Sequence, residues 1–350
     1  MSAETPLRLT SLAHGGGCGC KIGPALLAEL LRGAPRPAGF PDLLVGAETS
    51  DDAAVWRLDD ERGLVSTTDF FTPIVDDPFH FGQIAATNAL SDVWAMGGRP
   101  IFALALLGMP IQKLPPAVIS AVLAGGAAAC AAAGVPIAGG HSIDSAEPIY
   151  GLAVNGLVPL RHLRRNSGAR AGDRLLLAKP LGVGVLSAAF KKGLLDDDGY
   201  ATLLRLTTTL NAVGAALAAQ DAVHAMTDVT GFGLLGHLSE VARGAGRSIW
   251  LDRGAVPVLP LARRLRAEGL VTGASGRNWL AVAPLVATEA PPLPAEERDL
   301  LCDPQTAGPL LISVGPDGVG RALDTLVAAG FTEAAEIGVV EGEGAALRWS

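Results

Sequence analysis

The chain has 350 residues, of which 49% are hydrophobic and only 5% aromatic, and its formal net charge is −8. This length favours two domains, and the acidic balance argues against a nucleic-acid partner, which would need a basic face. Four cysteines are too few for a disulfide framework, and residues 1–12 lack the basic start and apolar run of a signal peptide. We therefore expect a cytoplasmic protein with reduced thiols.

The first feature along the chain is a glycine-rich stretch that carries two thiols and an amine, His14 to Ile22, which we call the Gly/Cys loop. Glycine contributes no packing, but it suits a mobile loop that lays backbone amides against an anion. Cys18 and Cys20 become thiolates only if their pKa is lowered, and Lys21 and the glycine N–H groups are the nearest candidates. The stretch indicates a nucleophilic or soft-ligand thiol followed by a cation that meets phosphate. A flexible N-terminal segment with incidental cysteines is the alternative.

The first half of the chain is predicted to alternate strands and helices. After a Pro-rich linker, the predicted strands are Ala53–Leu58, Gly63–Phe71, Ile101–Leu107, Val135–Ala138 and Ile149–Val158. The predicted helices are Pro24–Leu31, Pro78–Met96 with Asp77 as its N-cap, and Pro116–Gly134. Residues 114–140 carry no charge and could span a bilayer by length, but their prolines and their Ala and Gly content favour a buried helix and a buried strand. We therefore expect no membrane partner.

A basic stretch from Arg161 to Asp173 is predicted to mark the domain boundary. We divide the chain into a mobile N-terminal segment (1–48), a first domain (49–160) and a second domain (170–350). The predicted strands of the second domain are Arg174–Ala178, Ala225–Val229, Ser248–Leu251, Pro309–Val314 and Glu336–Val340. Its predicted helices are Gly182–Lys191, Tyr200–Ala219, Leu234–Gly244 and Gly318–Ala329. Both halves therefore show an α/β pattern.

Aspartates form the second chemical signal, because several lie in or beside apolar segments: Asp51, Asp52, Asp69, Asp92 and Asp228. An ionised carboxylate near a core is costly unless it is paired or metal-bound, and Mg²⁺ prefers oxygen ligands completed by phosphate and water. Each aspartate alone could be a cap or turn residue. Together with the Gly/Cys loop they favour a metal–phosphate site, although no P-loop sequence is present.

Two other classes of function compete with this interpretation. Gly231–Gly236 reads GFGLLG after a predicted strand, with Asp252 after the next strand, which matches a dinucleotide fingerprint and predicts a nicotinamide- or flavin-dependent oxidoreductase. A binding protein is the third hypothesis, in which His14, Cys18 and Cys20 hold a soft metal, although no CxxC pair completes a four-ligand site. His141, after two glycines, is either a phosphate contact or a turn residue.

Seven stretches resemble the selenide, water dikinases, also called selenophosphate synthetases: HGGGCGCKI (14–22), DDAAV (51–55), STTDFF (66–71), IAATNALSD (84–92), AGGHSID (138–144), AMTDVTGFGLLGHLSE (225–240) and LCDPQT (301–306). They follow the family's order over nearly the whole chain. The resemblance implies the two-domain α/β (α+β) fold shared with aminoimidazole ribonucleotide synthetase, with a homodimer formed through the N-terminal sheet and ATP held at its interface. It also implies the conversion of ATP, selenide and water to selenophosphate, AMP and orthophosphate, with Mg²⁺ and a monovalent cation.

The resemblance further implies roles for individual residues. Cys18 matches the position of the selenium-handling cysteine or selenocysteine, and Lys21 the essential lysine, while Cys20 either assists or is dispensable. The implied Mg²⁺ ligands are Asp52, Asp92 and Asp228. The implied nucleotide contacts are Thr49, Ser50, Asp51, Asp69, Gly140, His141 and Ser142, besides Lys21 and Asp92, with the glycine–histidine turn acting across the dimer.

The chain departs from the family's pattern at two places, Ala47 and Ala307–Pro309, where Asn and Ser-Gly-Gly are common. The second departure puts in doubt a role for that C-terminal turn. The residues do not distinguish free selenide from a selenium-delivery protein as the donor.

Overall fold

The computed structural model describes residues 7–32, 39–46 and 50–350, and within these ranges two six-stranded sheets form the body of the protein. The strands of the first sheet are β1 (Leu43–Val45), β2 (Ala54–Arg57), β3 (Arg62–Phe71), β4 (Arg99–Met109), β5 (Ile137–Asp144) and β6 (Ile149–Pro159), in the order β1-β2-β3-β6-β4-β5. The pairs are antiparallel except for β4 with β5. Three helices accompany them: α1 (Pro24–Leu31), α2 (Pro78–Ala95) and α3 (Pro116–Ala132). Ala47, Thr49 and most of the Pro-rich linker lie outside the described residues.

Helix α1 has the predicted bounds, and α2 begins at Pro78, where Asp77 caps it by accepting the His80 N–H at 2.8 Å. The prediction for β5 was wrong in two respects. It is an exposed edge strand rather than a buried one, and Gly139–Ser142 lie within it rather than in a turn. Gly140 is needed for strand pairing, because a Cβ there would lie 2.1 Å from the Ala105 carbonyl oxygen.

The two faces of the first sheet differ. The inner face packs on α2 in a core that includes Val65, Phe71 and Tyr150, and α3 packs on α2 in turn. On the outer face, Phe70 and Leu106 both lie beside Gly151, and Leu106 lies beside His141, so a row of side chains crosses four strands. The outer face is solvent-exposed and carries apolar side chains such as Phe70 together with polar ones such as His141.

The second sheet has the order β12-β9-β11-β7-β10-β8. Its strands are β7 (Arg174–Leu177), β8 (Val223–Asp228), β9 (Arg247–Leu251), β10 (Leu310–Val314), β11 (Ala335–Glu343) and β12 (Leu347–Trp349). Its helices are α4 (Val183–Lys191), α5 (Asp197–Thr208), α6 (Gly214–Ala218), α7 (Gly233–Ala245), α8 (Pro260–Ala267), α9 (Gly273–Val282), α10 (Ala295–Leu301) and α11 (Val319–Ala328). The sequence analysis missed β1, β12 and α8–α10. Within the described ranges, no helix combines the length and the apolar character needed to cross a bilayer.

The helix predicted over Tyr200–Ala219 is divided into α5 and α6. Near its end, Thr207, Thr208 and Thr209 donate their hydroxyls to carbonyls four residues earlier, at 2.7, 2.7 and 2.6 Å. Such back-bonding competes with helix propagation, and Thr209 takes extended backbone geometry. The break places Asn211 between the two domains, where its amide donates to Ser91 and to the Gly308 carbonyl.

The N-terminus of α4 is capped by residues more than a hundred positions away. Gln305 Oε1 accepts the N–H groups of Gly182 and Val183, and Asp303 Oδ2 accepts that of Val185, each at 3.2 Å. Asp303 is fully buried, and burial raises its pKa to about 7. The run Leu301–Thr306 thus fixes the start of α4 within the second domain.

We expect Gly125→Ala to destabilise the protein, because a Cβ at this position in α3 would lie 1.9 Å from the Phe79 carbonyl oxygen of α2. The expected loss is about 1–3 kcal/mol in the free energy of unfolding, measured by urea denaturation. The matched control is Gly276→Ala inside α9, where nothing lies within 4 Å of the new Cβ and about 0.4–1 kcal/mol should be gained. Equal effects of the two substitutions would contradict the close α2–α3 packing.

Asp303→Asn should change how stability depends on pH. A native pKa of about 7 lies above the ordinary value of about 3.9, so the native state binds more protons than the unfolded state between these values. This contribution is full below pH 4 and is lost as the pH rises through 7. The free energy of unfolding of the variant, taken relative to that of wild type, should therefore rise between pH 5 and pH 8 by an amount on the order of 2 kcal/mol. The measurement is thermal unfolding at both pH values, with Asp324→Asn on the exposed side of α11 as the control; parallel shifts in both variants would refute the assignment.

Candidate functional site

The structure brings six of the predicted site residues together at the junction of the two sheets. Strand β3 supplies Asp69, α2 supplies Asp92, and the end of β8 supplies Asp228. The Gly/Cys loop lies against them, and its Gly17 has a φ of +52° at a point where a Cβ would lie 2.4 Å from Thr306 Oγ1. The six residues are Cys18, Lys21, Asp52, Asp69, Asp92 and Asp228.

A buried amide links the loop to the first sheet. Asn88 of α2 donates its Nδ2 to Asp69 Oδ2 at 2.7 Å, and Lys21 Nζ lies 3.0 Å from the same oxygen. Asn88 Oδ1 accepts the Cys18 thiol at 3.3 Å. Burial opposes the charged form of Lys21, but the charge of Asp69 outweighs it, so the pKa of Lys21 is well above its usual value. Lys21 is therefore a permanent cation in this arrangement.

The Cys18 thiol corrects one expectation from the sequence. Lys21 does favour a thiolate at Cys18, but the side chain is 0% exposed, and burial raises its pKa well above the usual value. In this arrangement Cys18 is a protonated thiol that donates to Asn88. Cys20, in contrast, is half-buried.

The three predicted metal ligands are crowded carboxylates with incomplete hydrogen bonding. Asp52 Oδ1 accepts the Thr227 hydroxyl at 2.7 Å, and Asp92 Oδ2 accepts the Thr67 hydroxyl at 2.5 Å. In the described part of the chain, the second oxygens of Asp52 and Asp228 are buried without a partner. Burial, followed by the charge of Asp228, raises the pKa of both Asp52 and Asp92, and burial also raises that of Asp228.

Such an oxygen-rich set, with the two buried oxygens named above, fits a hard cation such as Mg²⁺. Among the described residues, however, no three His, Cys, Asp or Glu side chains are grouped so that they could hold a metal ion by themselves. The soft-metal hypothesis is not supported, because His14 Nδ1 lies 2.7 Å from Glu147 and the Cys18 thiol donates a hydrogen bond to Asn88.

The turn after α10 belongs to the site, although the sequence analysis gave it no role. Thr306 Oγ1 accepts the Cys18 N–H at 3.1 Å, and the Ala307 N–H donates to Asn88 Oδ1 at 2.7 Å. Ala307 has a φ of +47°, in the left-handed region that side chains rarely adopt. The hydrogen bond of Ala307 to Asn88 comes from its backbone N–H. The alanine that stands where the family commonly has serine therefore leaves this hydrogen bond intact.

Lys179 is a second residue that the sequence analysis missed. Its ammonium donates to the carbonyls of Thr209 at 2.8 Å and Ala307 at 2.9 Å. Burial lowers its pKa to about 7, partly opposed by the charge of Asp228. The available signal was a lone lysine between the apolar run of β7 and Pro180. Lys179 fixes the turn that carries Thr306 and Ala307.

The remaining predicted nucleotide contacts lie elsewhere. Asn166 joins Ser50 and Asp51 to the second domain, since it donates its side chain to the Ser50 carbonyl at 3.0 Å and its N–H to Asp51 Oδ1 at 2.6 Å. Ser50 has a φ of +53°. The segment containing Gly140, His141 and Ser142 is exposed on the edge strand β5, and Thr49 lies outside the described residues.

The dinucleotide alternative is wrong. Strand β8 is an edge strand paired antiparallel to β10, and three strands separate it from β9, so the parallel βαβ unit that such a site needs is not formed. Asp252 caps a turn by accepting the N–H groups of Gly254 and Ala255. Gly231 serves close packing, because a Cβ there would lie 2.8 Å from the Cys18 carbonyl oxygen.

Comparison with known proteins agrees with this geometry. Residues 50–158 match the family described as AIR synthase related protein, N-terminal domain, and residues 170–350 match its C-terminal domain. A selenide, water dikinase of Burkholderia pseudomallei is 62% identical over 331 residues, covering 95% of this chain and 93% of the relative. The corresponding protein of Rhizobium meliloti is 52% identical over 341 residues, covering 97% of both.

Solved structures show the same fold at lower identity. Hydrogenase maturation protein HypE in complex with ATP has a TM-score of 0.66 at 22% identity and covers 98% of this chain and 94% of its own. Thiamine-monophosphate kinase from Stenotrophomonas maltophilia has a TM-score of 0.64 at 22% identity and covers 89% of this chain and 92% of its own. The expected two-domain α/β fold is confirmed, and the chain belongs to the selenide, water dikinase family within the AIR synthase related proteins.

Proposed function

We propose that this protein converts ATP, selenide and water to selenophosphate, AMP and orthophosphate. The observation that carries the proposal is the buried pairing of the Cys18 thiol with Asn88 Oδ1. Beside it lie the Lys21–Asp69 ion pair and the carboxylates of Asp52 and Asp228, each with one buried oxygen that lacks a partner among the described residues. A thiol that can meet selenium, a fixed cation and an oxygen-rich cation site suit the transfer of a phosphoryl group to selenide. The family of the chain supports the same activity.

Asp52, Asp92 and Asp228 are the residues that would hold Mg²⁺, which neutralises charge on the phosphates during phosphoryl transfer. Because no three such side chains in the described part of the chain suffice by themselves, phosphate oxygens and water would complete the coordination, as is usual for Mg²⁺. The unpartnered oxygens of Asp52 and Asp228 are the support for this role. A monovalent cation is part of the proposal through the family alone.

The chain's own groups have separate roles in the proposed reaction. Lys21 is held by Asp69 and stabilises negative charge that develops on the transferred phosphoryl group. Cys18 handles the selenium. Its thiol is buried within the Gly/Cys loop, and this burial excludes water, which would otherwise compete with selenide in the first step. The nucleotide contacts proposed are Lys21, Thr49, Ser50, Asp51, Asp69, Asp92, Gly140, His141 and Ser142. The reduced thiol suits a cytoplasmic reaction.

The outer face of the first sheet supports a homodimer. Its exposed apolar side chains include Trp56, Phe70, Leu104 and Ile143, which are 41, 50, 37 and 58% exposed. Exposed apolar side chains gathered on one face of a sheet are typical of a protein–protein interface. We propose that two sheets pack face to face and that His141, on the same face, reaches ATP bound by the partner subunit. A selenium-delivery protein is a further possible partner that these observations do not require.

Product analysis tests the proposed reaction. Anaerobic wild-type protein with ATP, Mg²⁺ and selenide should give selenophosphate, AMP and orthophosphate in phosphorus NMR. Cys18→Ser and Lys21→Met should each lower the rate about 100-fold or more, because each removes a group that acts on the reacting atoms. Cys130→Ala, which alters a buried thiol of α3 away from the site, is the control. Formation of ADP alone, or product formation independent of selenide, would refute the proposal.

Phe70→Glu should dissociate the proposed dimer, because it places a charge within the apolar outer face. Light scattering after size-exclusion chromatography should give one chain mass for the variant and two for wild type. Leu194→Glu substitutes a residue that is 60% exposed in the second domain and should leave the mass unchanged. A variant that keeps the wild-type mass would exclude this face as the interface.

A further inference from the structure

A cavity of about 570 Å³ lies between the Gly/Cys loop, α4 and α9. None of the carboxylates of the site described above lines it. The loop contributes Cys20 and Lys21, α4 contributes Lys191, and α9 contributes Arg277. The volume is in the range of about 300–1,000 Å³ that is usual for small-molecule sites.

The charge of the cavity wall is opposite to that of the chain. The protein has 35 acidic and 27 basic residues, yet the residues that line the cavity include three cations, Lys21, Lys191 and Arg277, and no aspartate or glutamate. Concentrated like charge at a cleft raises the local concentration of oppositely charged ligands. The wall therefore selects for an anion.

Two of these cations are held by backbone carbonyls and not by acids. Lys191 Nζ donates to the Ala13 carbonyl at 2.7 Å, and Arg277 Nη2 donates to the Gly19 carbonyl at 3.3 Å. Across the described ranges neither forms an ion pair with a carboxylate. Their charge is thus fixed in place around the loop without being cancelled.

The cavity adjoins the proposed reaction site through two loop residues. Lys21 lines the cavity and also pairs with Asp69, and Cys20 lines it two residues from the buried Cys18. A soft anion in the cavity would therefore stand against the same loop that covers the carboxylates. The volume is many times that of one hydroselenide ion, so the anion would enter together with water.

We propose that this cavity receives the selenium substrate as the hydroselenide anion, attracted by Lys191 and Arg277 and passed along the Gly/Cys loop toward Cys18. The proposal rests on the function proposed above and adds the location and the residues of the selenium site. Selenide and ATP then reach the site by separate routes, because selenide approaches from the cationic wall and not past the carboxylates.

A matched pair of variants tests the charge of the wall. Ser187 lines the cavity, and its hydroxyl donates at 2.9 Å to the Gly184 carbonyl of its own helix, so it holds no part of the loop. Ser187→Asp and Ser187→Asn differ in charge and hardly in shape. The Asp variant should have a KM for selenide at least fivefold above that of the Asn variant, with the KM for ATP and kcat unchanged.

A labelling experiment provides a readout that does not depend on catalysis. Cys20 is alkylated with anionic iodoacetate and with neutral iodoacetamide, and the two rates are compared by peptide mass spectrometry. The ratio of iodoacetate to iodoacetamide rates should be at least threefold lower in Ser187→Asp than in Ser187→Asn. The buried Cys130 and Cys302 provide an internal check that both variants remain folded.

The outcomes separate this inference from the proposed function. A wild-type protein that forms no selenophosphate contradicts the proposed function. An active wild type whose Ser187→Asp and Ser187→Asn variants share one KM for selenide overturns the selenium site, whatever the labelling ratio. A difference in KM for ATP equal to that for selenide also overturns it, because the charge would then act on both substrates.

Discussion

The arrangement of the site depends on one buried amide. Asn88 stands on α2, and its side chain joins the Gly/Cys loop through Cys18, the first sheet through Asp69 and the second domain through the Ala307 N–H. The longest of these contacts in sequence joins Asn88 to Ala307, 219 residues away. Both ends of the amide are satisfied, and a fully satisfied buried network of this kind specifies one geometry more strictly than apolar packing does. The position of Cys18 relative to Lys21 follows from it.

The same region concentrates negative charge that the chain does not neutralise. Asp52, Asp92 and Asp228 are buried near one another, and the raised pKa values of all three show that the charged forms are unfavourable without a cation. Thr67 and Thr227 fix single oxygens of Asp92 and Asp52, and in the described ranges the second oxygens of Asp52 and Asp228 are buried without a partner. A site of this kind is stabilised by the ligand that it binds, because the ligand supplies the missing positive charge.

Much of the fold and the acidic site could be predicted from local patterns. Capping signals gave α1 its bounds, and carboxylates embedded in apolar segments pointed to Asp92 and Asp228. Strand β5 was mispredicted because its glycines imitate a turn, whereas their role is close approach to β4. Thr306 and Lys179 could not be predicted, since they act on backbone groups that carry no residue signature and lie far apart in the chain.

The Gly/Cys loop lies between two regions of opposite charge. On one side lie carboxylates that require cations, and on the other lies the cationic cavity with Lys191 and Arg277. Glycine suits this position because it lets the backbone form a thin wall, as at Gly17, where any side chain would collide with Thr306. Lys21 belongs to both regions. In the proposed reaction, a soft anion and a phosphate accompanied by Mg²⁺ would therefore approach the same thiol from different sides, which would keep their like charges apart until they meet.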